Sequence, residues 1–259
     1  MRTFLSLILL LIFSLPAHAE VRTEDVSYEI DGEAFTGYLA YDDSVAGKRP
    51  AVLVVHEWWG LSDYEKRRAR MLAELGYVAF AVDMYGTGKH TDNPEQAKAW
   101  MQEVTTDVEW WRERAMKGVE ILRGNKLADA AKVAAIGYCF GGGTVLQMAY
   151  GGTYIRGVVS FHGSLPIASD EDLERTKTKL LILHGNADPF VPGEMAVEFQ
   201  KKLETGNIDW QMVTYGGVRH SFTSPGADKR GMDALKYDAD ADRRSWNSMQ
   251  AFFAEIFAN

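Results

Sequence analysis

The chain's one cysteine lies in Gly137-Tyr138-Cys139-Phe140-Gly141-Gly142, a glycine-flanked pattern suited to a nucleophile on a tight strand-to-helix turn. Such an elbow strains the backbone of its middle residue and points that side chain outward. Glycines at 137 and 141 avoid the collision that a side chain would make as the helix closes back on the strand. The turn also sets Cys139 at a helix N-terminus, where free amide groups favour thiolate over thiol. A free cysteine has a pKa of about 8.5, so that help matters near neutrality. Two later loops supply partners. His184-Gly185-Asn186-Ala187-Asp188-Pro189 carries an aspartate 49 residues after Cys139, and Gly216-Gly217-Val218-Arg219-His220-Ser221-Phe222 carries a histidine 32 residues further on. In this order the three can perform acyl transfer: Asp188 orients His220, His220 accepts and returns the proton, and Cys139 attacks a carbonyl.

Other histidines compete for the base role. His56, His162 and His184 fall at strand ends near the same rim and read as structural imidazoles bonded to backbone, while His90 sits in a polar, solvated loop. No two histidines have the i, i+4 spacing of a metal-binding helix, and one cysteine rules out an internal disulfide or a multi-cysteine cluster. No metal and no cofactor are expected. With 28 Lys plus Arg against 36 Asp plus Glu, the net charge is −8. That excess argues against nucleic acid or an anionic membrane as the main partner, since phosphate binding needs a concentrated positive field.

The elements that position these loops follow from the hydrophobic pattern of 259 residues, 46% of them apolar. Two alternating segments, Val26 to Ile30 and Ala34 to Tyr41, flank Asp31-Gly32, a strong hairpin signal. Ala51 to Val55 is apolar throughout, as expected of a strand covered on both faces. Ser62-Asp-Tyr-Glu65 reads as a capping box opening a helix that Gly76 ends, and Tyr77 to Val82 is a second buried strand. Pro94 suits the first turn of another helix. Thr106-Asp-Val-Glu109 reads as a second capping box leading to Gly124. A strand ending near Ile136, a helix over about Phe140 to Tyr150, strands Ile155 to Phe161 and Leu180 to Leu183, a helix over Met195 to Leu203, the strand Ile208 to Tyr215 and a helix bearing Trp246, Met249, Phe252, Phe253 and Ile256 complete the series. This alternation predicts one α/β domain over 20–259, a mostly parallel sheet with helices on both faces. Ligands in such sheets bind at the carboxyl ends of the strands, hence in the loops after Val55, Val82, Ile136, Phe161, Leu183 and Tyr215.

Residues 1–19 read as a secretory signal: Arg2, an apolar run of twelve residues from Phe4 to Leu15, Pro16, and the small-x-small ending Ala17-His18-Ala19. Twelve residues fall short of the roughly 20 that a spanning helix needs. The mature product is expected to begin at Glu20, to be periplasmic or secreted, to have no membrane association after cleavage, and to be a monomer. An oxidising compartment offers Cys139 no internal partner, so its thiol is either buried and inert or kept for chemistry.

Five blocks in order give the chain a resemblance to the dienelactone hydrolase family, α/β-hydrolase-fold enzymes with a cysteine nucleophile: Val55-His56-Glu57-Trp58-Trp59-Gly60-Leu61, Val82-Asp83-Met84-Tyr85-Gly86, Gly137 to Gly142, His184-Gly185-Asn186-Ala187-Asp188 and His220-Ser221-Phe222. The resemblance implies a Cys139–Asp188–His220 triad, an oxyanion hole formed by the Phe140 and Trp58 backbone amides, and a Glu57 that pairs with the resting thiol. It also implies two arginines holding a substrate carboxylate, but the nearest matching positions here are Thr87 and Ser224, with Arg219 the nearest replacement. Without a bidentate guanidinium clamp an anionic lactone loses its main anchor. Aromatic residues beside the motifs, Trp58, Trp59, Tyr85, Tyr138 and Phe140, are candidates for an apolar pocket or for packing.

The expected activity is hydrolysis of a small-molecule ester or lactone by the Cys139 thiolate. Two other readings remain: a binding protein that kept the hydrolase fold without turnover, and a redox protein, which would lack a resolving cysteine.

Overall fold

The computed structural model describes residues 20–258. Asp31 and Gly32 both have positive φ, 50° and 82°, as a two-residue hairpin turn demands. They join β1 (Val21–Ile30) to β2 (Glu33–Asp42), with Ile30 opposite Glu33. The remaining strands are β3 (Arg49–Val55), β4 (Val78–Val82), β5 (Ala128–Tyr138), β6 (Gly157–Phe161), β7 (Lys179–Gly185) and β8 (Trp210–Tyr215). They form one eight-stranded sheet ordered β1-β2-β4-β3-β5-β6-β7-β8, antiparallel at β1-β2-β4 and parallel from β4 to β8.

Successive residues of the buried strands go to opposite faces. Leu53 and Val55 pack with Ala115, Val119 and Leu122 of α3 (Val108–Gly124), with Val145 and Leu146 of α4 (Phe140–Tyr150), and with Phe199 and Leu203 of α6 (Gly193–Glu204). Val52 and Val54 pack with Ala69 and Leu72 of α1 (Asp63–Glu74) and with Met249, Phe252 and Phe253 of α7 (Ala239–Phe257). The expected architecture, a mostly parallel sheet between helical layers, is what the chain adopts. Two further helices, α2 (Pro94–Thr105) and α5 (Asp170–Arg175), border the loops; α5 was not expected from the pattern.

Local signals fared unevenly. Ser62 caps α1 as a full capping box with Glu65, and Gly76 follows its end with φ 89°. The second expected box fails: Asp107, not Thr106, caps α3, accepting from the Glu109 and Trp110 amides, while Thr106 closes α2. A carboxylate beside the free amides outcompetes the hydroxyl one residue earlier. Because β3, β5, β6, β7 and β8 run in register and in parallel, with Val55 beside Gly137, Tyr138 beside Phe161 and Phe161 beside Leu183, their carboxyl ends form a single rim.

Candidate active site

The turn after β5 is an elbow. Cys139 has φ 54° and precedes α4 directly, while its amide donates to the Phe161 carbonyl at 3.1 Å and its carbonyl accepts from the Gly142 amide at 3.0 Å. A Cβ on Gly141 would lie 2.7 Å from the His56 carbonyl oxygen and nearer still to the Val55 carbonyl, and one on Gly137 would lie 2.8 Å from the Gly142 nitrogen. For Gly137 this is the anticipated collision between helix and strand, whereas Gly141 is crowded instead by the end of the neighbouring strand β3. Apart from Asp31 in the hairpin, the other non-glycine residues with positive φ among the described residues are His162 (39°) and Ser221 (55°). Strained backbone is thus concentrated on this rim.

His220 and Asp188 meet behind the elbow. Nδ1 of His220 lies 2.7 Å from Asp188 Oδ2, with both side chains buried, and the other Asp188 oxygen accepts from the Phe190 amide at 2.8 Å. Burial opposes a charge on His220, but the neighbouring Cys139 sulfur and the Asp188 carboxylate together outweigh it and raise the imidazole from 6.5 to about 10. The three residues singled out from different loops therefore form one connected set.

The other histidines divide as their partners dictate. His56 is fully buried, its Nδ1 2.5 Å from the Glu57 carbonyl and its Nε2 accepting from the Met84 amide at 3.1 Å. That is a neutral imidazole used as a strut, and burial lowers its pKa. His162 is tied to the Thr223 hydroxyl at 2.7 Å rather than to backbone, and burial holds its pKa well below the usual value. His184 is lowered as well, burial outweighing Asp188, and its Nδ1 is buried without a partner among the described residues.

Glu57 follows β3 and is 4% exposed. Burial, with the neighbouring Glu65 carboxylate second, raises it from 4.5 to about 7. Its Oε1 accepts from the Ser221 hydroxyl at 2.9 Å. No hydrogen bond joins it to Cys139 among the described residues, so the contact implied for the resting thiol is made here to Ser221. The Trp58 and Phe140 amides, expected to bind an oxyanion, have no acceptor among the described residues, and both residues border the cavity beside Cys139. Tyr85 donates to the Trp58 carbonyl at 3.2 Å and fixes that turn.

The cavity has a volume of about 630 Å³, bounded by Trp58, Phe140, Trp111 and Phe190 around Cys139 and His220. Of the aromatic candidates, Trp58 and Phe140 line it, whereas Trp59, Tyr85 and Tyr138 are buried in packing. Sequence reasoning missed Trp111 and Phe190, and also Lys98, Met101 and Thr105 on one face of α2. The i, i+3, i+7 spacing of those three was the available signal. Thr87 faces a separate depression and bonds to the Thr36 hydroxyl at 2.9 Å. Arg219 is exposed and donates to the Asp233 carbonyl at 2.7 Å, and neither it nor Ser224 lines the cavity.

Comparison with known proteins places this geometry among relatives. The solved structure named m3DLH is 37% identical with a TM-score of 0.88, covering 92% of this chain and 99% of its own. P91, a dienelactone hydrolase-like promiscuous phosphotriesterase from metagenomic libraries, is 36% identical with a TM-score of 0.88, covering 91% and 98%. A protein of Aquifex aeolicus (strain VF5), provisionally named a carboxymethylenebutenolidase, is 31% identical over 76% of this chain and 85% of its own. The family model for dienelactone hydrolases matches residues 35–257, and the chain belongs to the dienelactone hydrolase family.

Proposed function

We propose that the protein hydrolyses carboxylic esters or lactones through a Cys139 thiolate, with His220 as base and then acid, Asp188 as its orienting carboxylate, and the Phe140 and Trp58 amides as oxyanion donors. The observation that carries this reading is the His220 ring bonded to Asp188 at 2.7 Å and lining one cavity with its neighbour Cys139. A histidine so placed takes up the thiol proton and returns it to the leaving group. The sulfur adds to the carbonyl carbon, the C=O electron pair moves to oxygen between the two amides, and collapse expels the alkoxide as alcohol and leaves a thioester. Water then adds to that thioester with His220 again as base, releasing the acid and the thiol. A lost oxyanion donor costs roughly 3 kcal/mol. Glu57, raised to about 7 by burial, carries less than a full negative charge at neutrality.

The cavity supports a bulky, largely uncharged substrate. Its volume of about 630 Å³ lies within the 300–1,000 Å³ common for ligand sites. Its one lysine, Lys98, is exposed on α2. An exposed ion pair is worth about 0–1 kcal/mol, too little to replace a bidentate guanidinium. Residues 1–19 lie outside the described residues; their pattern supports export to the periplasm or medium, which a mature N-terminus at Glu20 would bear out.

The test is turnover of a panel of activated neutral esters, lactones, carboxylated lactones and a neutral phosphotriester, the last because P91 is named for that activity. Wild type should turn over neutral esters and form a mass-detectable acyl adduct on Cys139; Cys139→Ala should do neither. Equal turnover by both proteins would overturn the reading, and absence of adduct and turnover would favour a binding protein.

A further inference from the structure

We propose that Glu65, the capping-box glutamate of α1, is a positioning residue of the active site: one carboxylate oxygen caps the helix and the other holds the turn that presents the Trp58 amide. Glu65 is 1% exposed. Its Oε2 does the work of a capping box, accepting from the Ser62 amide at 3.0 Å and the Ser62 hydroxyl at 2.6 Å. Its Oε1 is not needed for that purpose. It accepts instead from the backbone amide of Glu57 at 3.0 Å, eight residues back along the chain and two residues past the end of β3.

The held segment is a tight turn in which the Gly60 amide donates to the Glu57 carbonyl at 3.3 Å. Its carbonyls are pinned by His56 Nδ1 on Glu57 and by the Tyr85 hydroxyl on Trp58. Its first amide is pinned by Glu65 alone, and the next amide along is that of Trp58. The carboxylate therefore fixes the peptide that precedes the oxyanion donor. An N–H to carboxylate bond is charge-assisted, stronger than one to a neutral acceptor, and the α1 N-terminus favours a negative charge at this position. The same charge is one cause of the tight hold Glu57 keeps on its proton, after burial. A pure cap would need neither the buried setting nor the second oxygen. In α5 the capping box is made by Ser169 and the shorter Asp172, which accepts from the Ser169 amide at 3.0 Å.

That comparison supplies the experiment, which rests on the hydrolase reading for its kinetic arm only. Glu65→Asp keeps the charge and, as Asp172 shows, keeps a capping box, but is one methylene too short to bond Ser62 and Glu57 together. Ser62→Ala removes the hydroxyl partners of the cap while leaving the Glu65 bond to Glu57. For E65D the expected results are a Tm near wild type, a kcat lowered about 10- to 100-fold with KM within threefold, and faster amide hydrogen exchange in the 57–60 segment. S62A should lower Tm with kcat within twofold and exchange at 57–60 unchanged. If E65D and S62A lose kcat equally, or E65D leaves exchange at 57–60 unaltered, Glu65 is only a cap and the proposal falls. Hydrogen exchange decides this without turnover, so failure of the hydrolase reading, seen as equal activity in wild type and C139A, is told apart from failure of the Glu65 proposal.

Discussion

Replacing Asp188 by asparagine keeps the shape of the side chain and removes its charge, which isolates what the carboxylate does for His220. In the native chain one Asp188 oxygen accepts from the Phe190 amide at 2.8 Å and the other faces Nδ1 at 2.7 Å. In D188N the amide oxygen must stay with the Phe190 N–H, because turning it would set donor against donor. The NH₂ group then faces Nδ1, which has to accept. The ring proton moves to Nε2, the nitrogen that takes the proton from sulfur in the proposed mechanism, so the tautomer is wrong for its first step. Electrostatics acts in the same direction. Two unit charges about 4 Å apart interact by about 4 kcal/mol at an effective dielectric constant of about 20, a factor of about a thousand in the population of an imidazolium–thiolate pair. The same substitution in a serine protease triad costs about 10⁴ in kcat.

D188N should therefore lose about 10³- to 10⁴-fold in kcat/KM for a neutral activated ester. Alkylation of Cys139 by iodoacetamide, which follows the thiolate, should slow by about 10²- to 10³-fold. Without the carboxylate His220 should give up its proton at a lower pH than the value of about 10 it has beside Asp188. A D188N enzyme within fivefold of wild type in both assays would refute the assignment of Asp188.

Gly141→Ala should lower Tm and cut kcat by at least tenfold, since its methyl group would sit 2.7 Å from the His56 carbonyl oxygen, where ordinary contact begins at 3.4 Å, and the elbow must shift by at least that deficit. Glu57→Gln should change Tm with pH. A carboxyl whose folded pKa is raised to about 7 costs stability as pH rises from 4.5 through 7, so the variant should match wild type near pH 4.5 and exceed it by pH 8, at about 2–4 °C per kcal/mol relieved. An unchanged difference across that range in paired thermal melts would contradict the raised value. Lys98→Met should alter kcat/KM for neutral esters by less than twofold and for a carboxylated ester by no more than about fivefold; a larger selective loss would make Lys98 a true anion anchor.

Much of the fold was legible because local and long-range signals agreed. The hairpin at Asp31-Gly32 needed two left-handed residues and had them, and the apolar runs at 51–55 and 78–82 are buried on both faces because helices cover both. The convergence of Cys139, Asp188 and His220 was legible for a topological reason: a parallel sheet brings every strand's carboxyl end to one rim, so residues far apart in sequence meet once their strands are assigned. Less visible was whatever depends on which way a loop returns. Thr87 and Arg219 both stand beside motif residues, yet one faces a different depression and the other turns to Asp233. The role of α2 in the cavity was hard to see because Lys98, Met101 and Thr105, though spaced on one helical face, mix polarities. The failed capping box at Thr106 is a competition between neighbours, won by Asp107.

Residue type alone does not separate the groups on this rim; their partners do. His184 and His220 both lie near Asp188, yet His184 is lowered by burial despite that carboxylate while His220 is raised. The difference is that only His220 is hydrogen-bonded to Asp188, and only His220 has the sulfur on its other side. One nearby carboxylate is thus weaker than burial at His184, whereas at His220 the sulfur and the bonded carboxylate together exceed it. The carboxylates divide in a parallel way. Asp188 is met by an imidazole and a backbone amide, whereas Glu57 is met by one hydroxyl and by the like charge of Glu65. One is arranged to stabilise a cation and the other to hold a proton until the pH passes about 7. A rim in which three imidazoles are kept neutral by burial leaves His220 as the one histidine on it able to carry positive charge beside Cys139, and the proposed acyl transfer at the strained elbow depends on that selectivity.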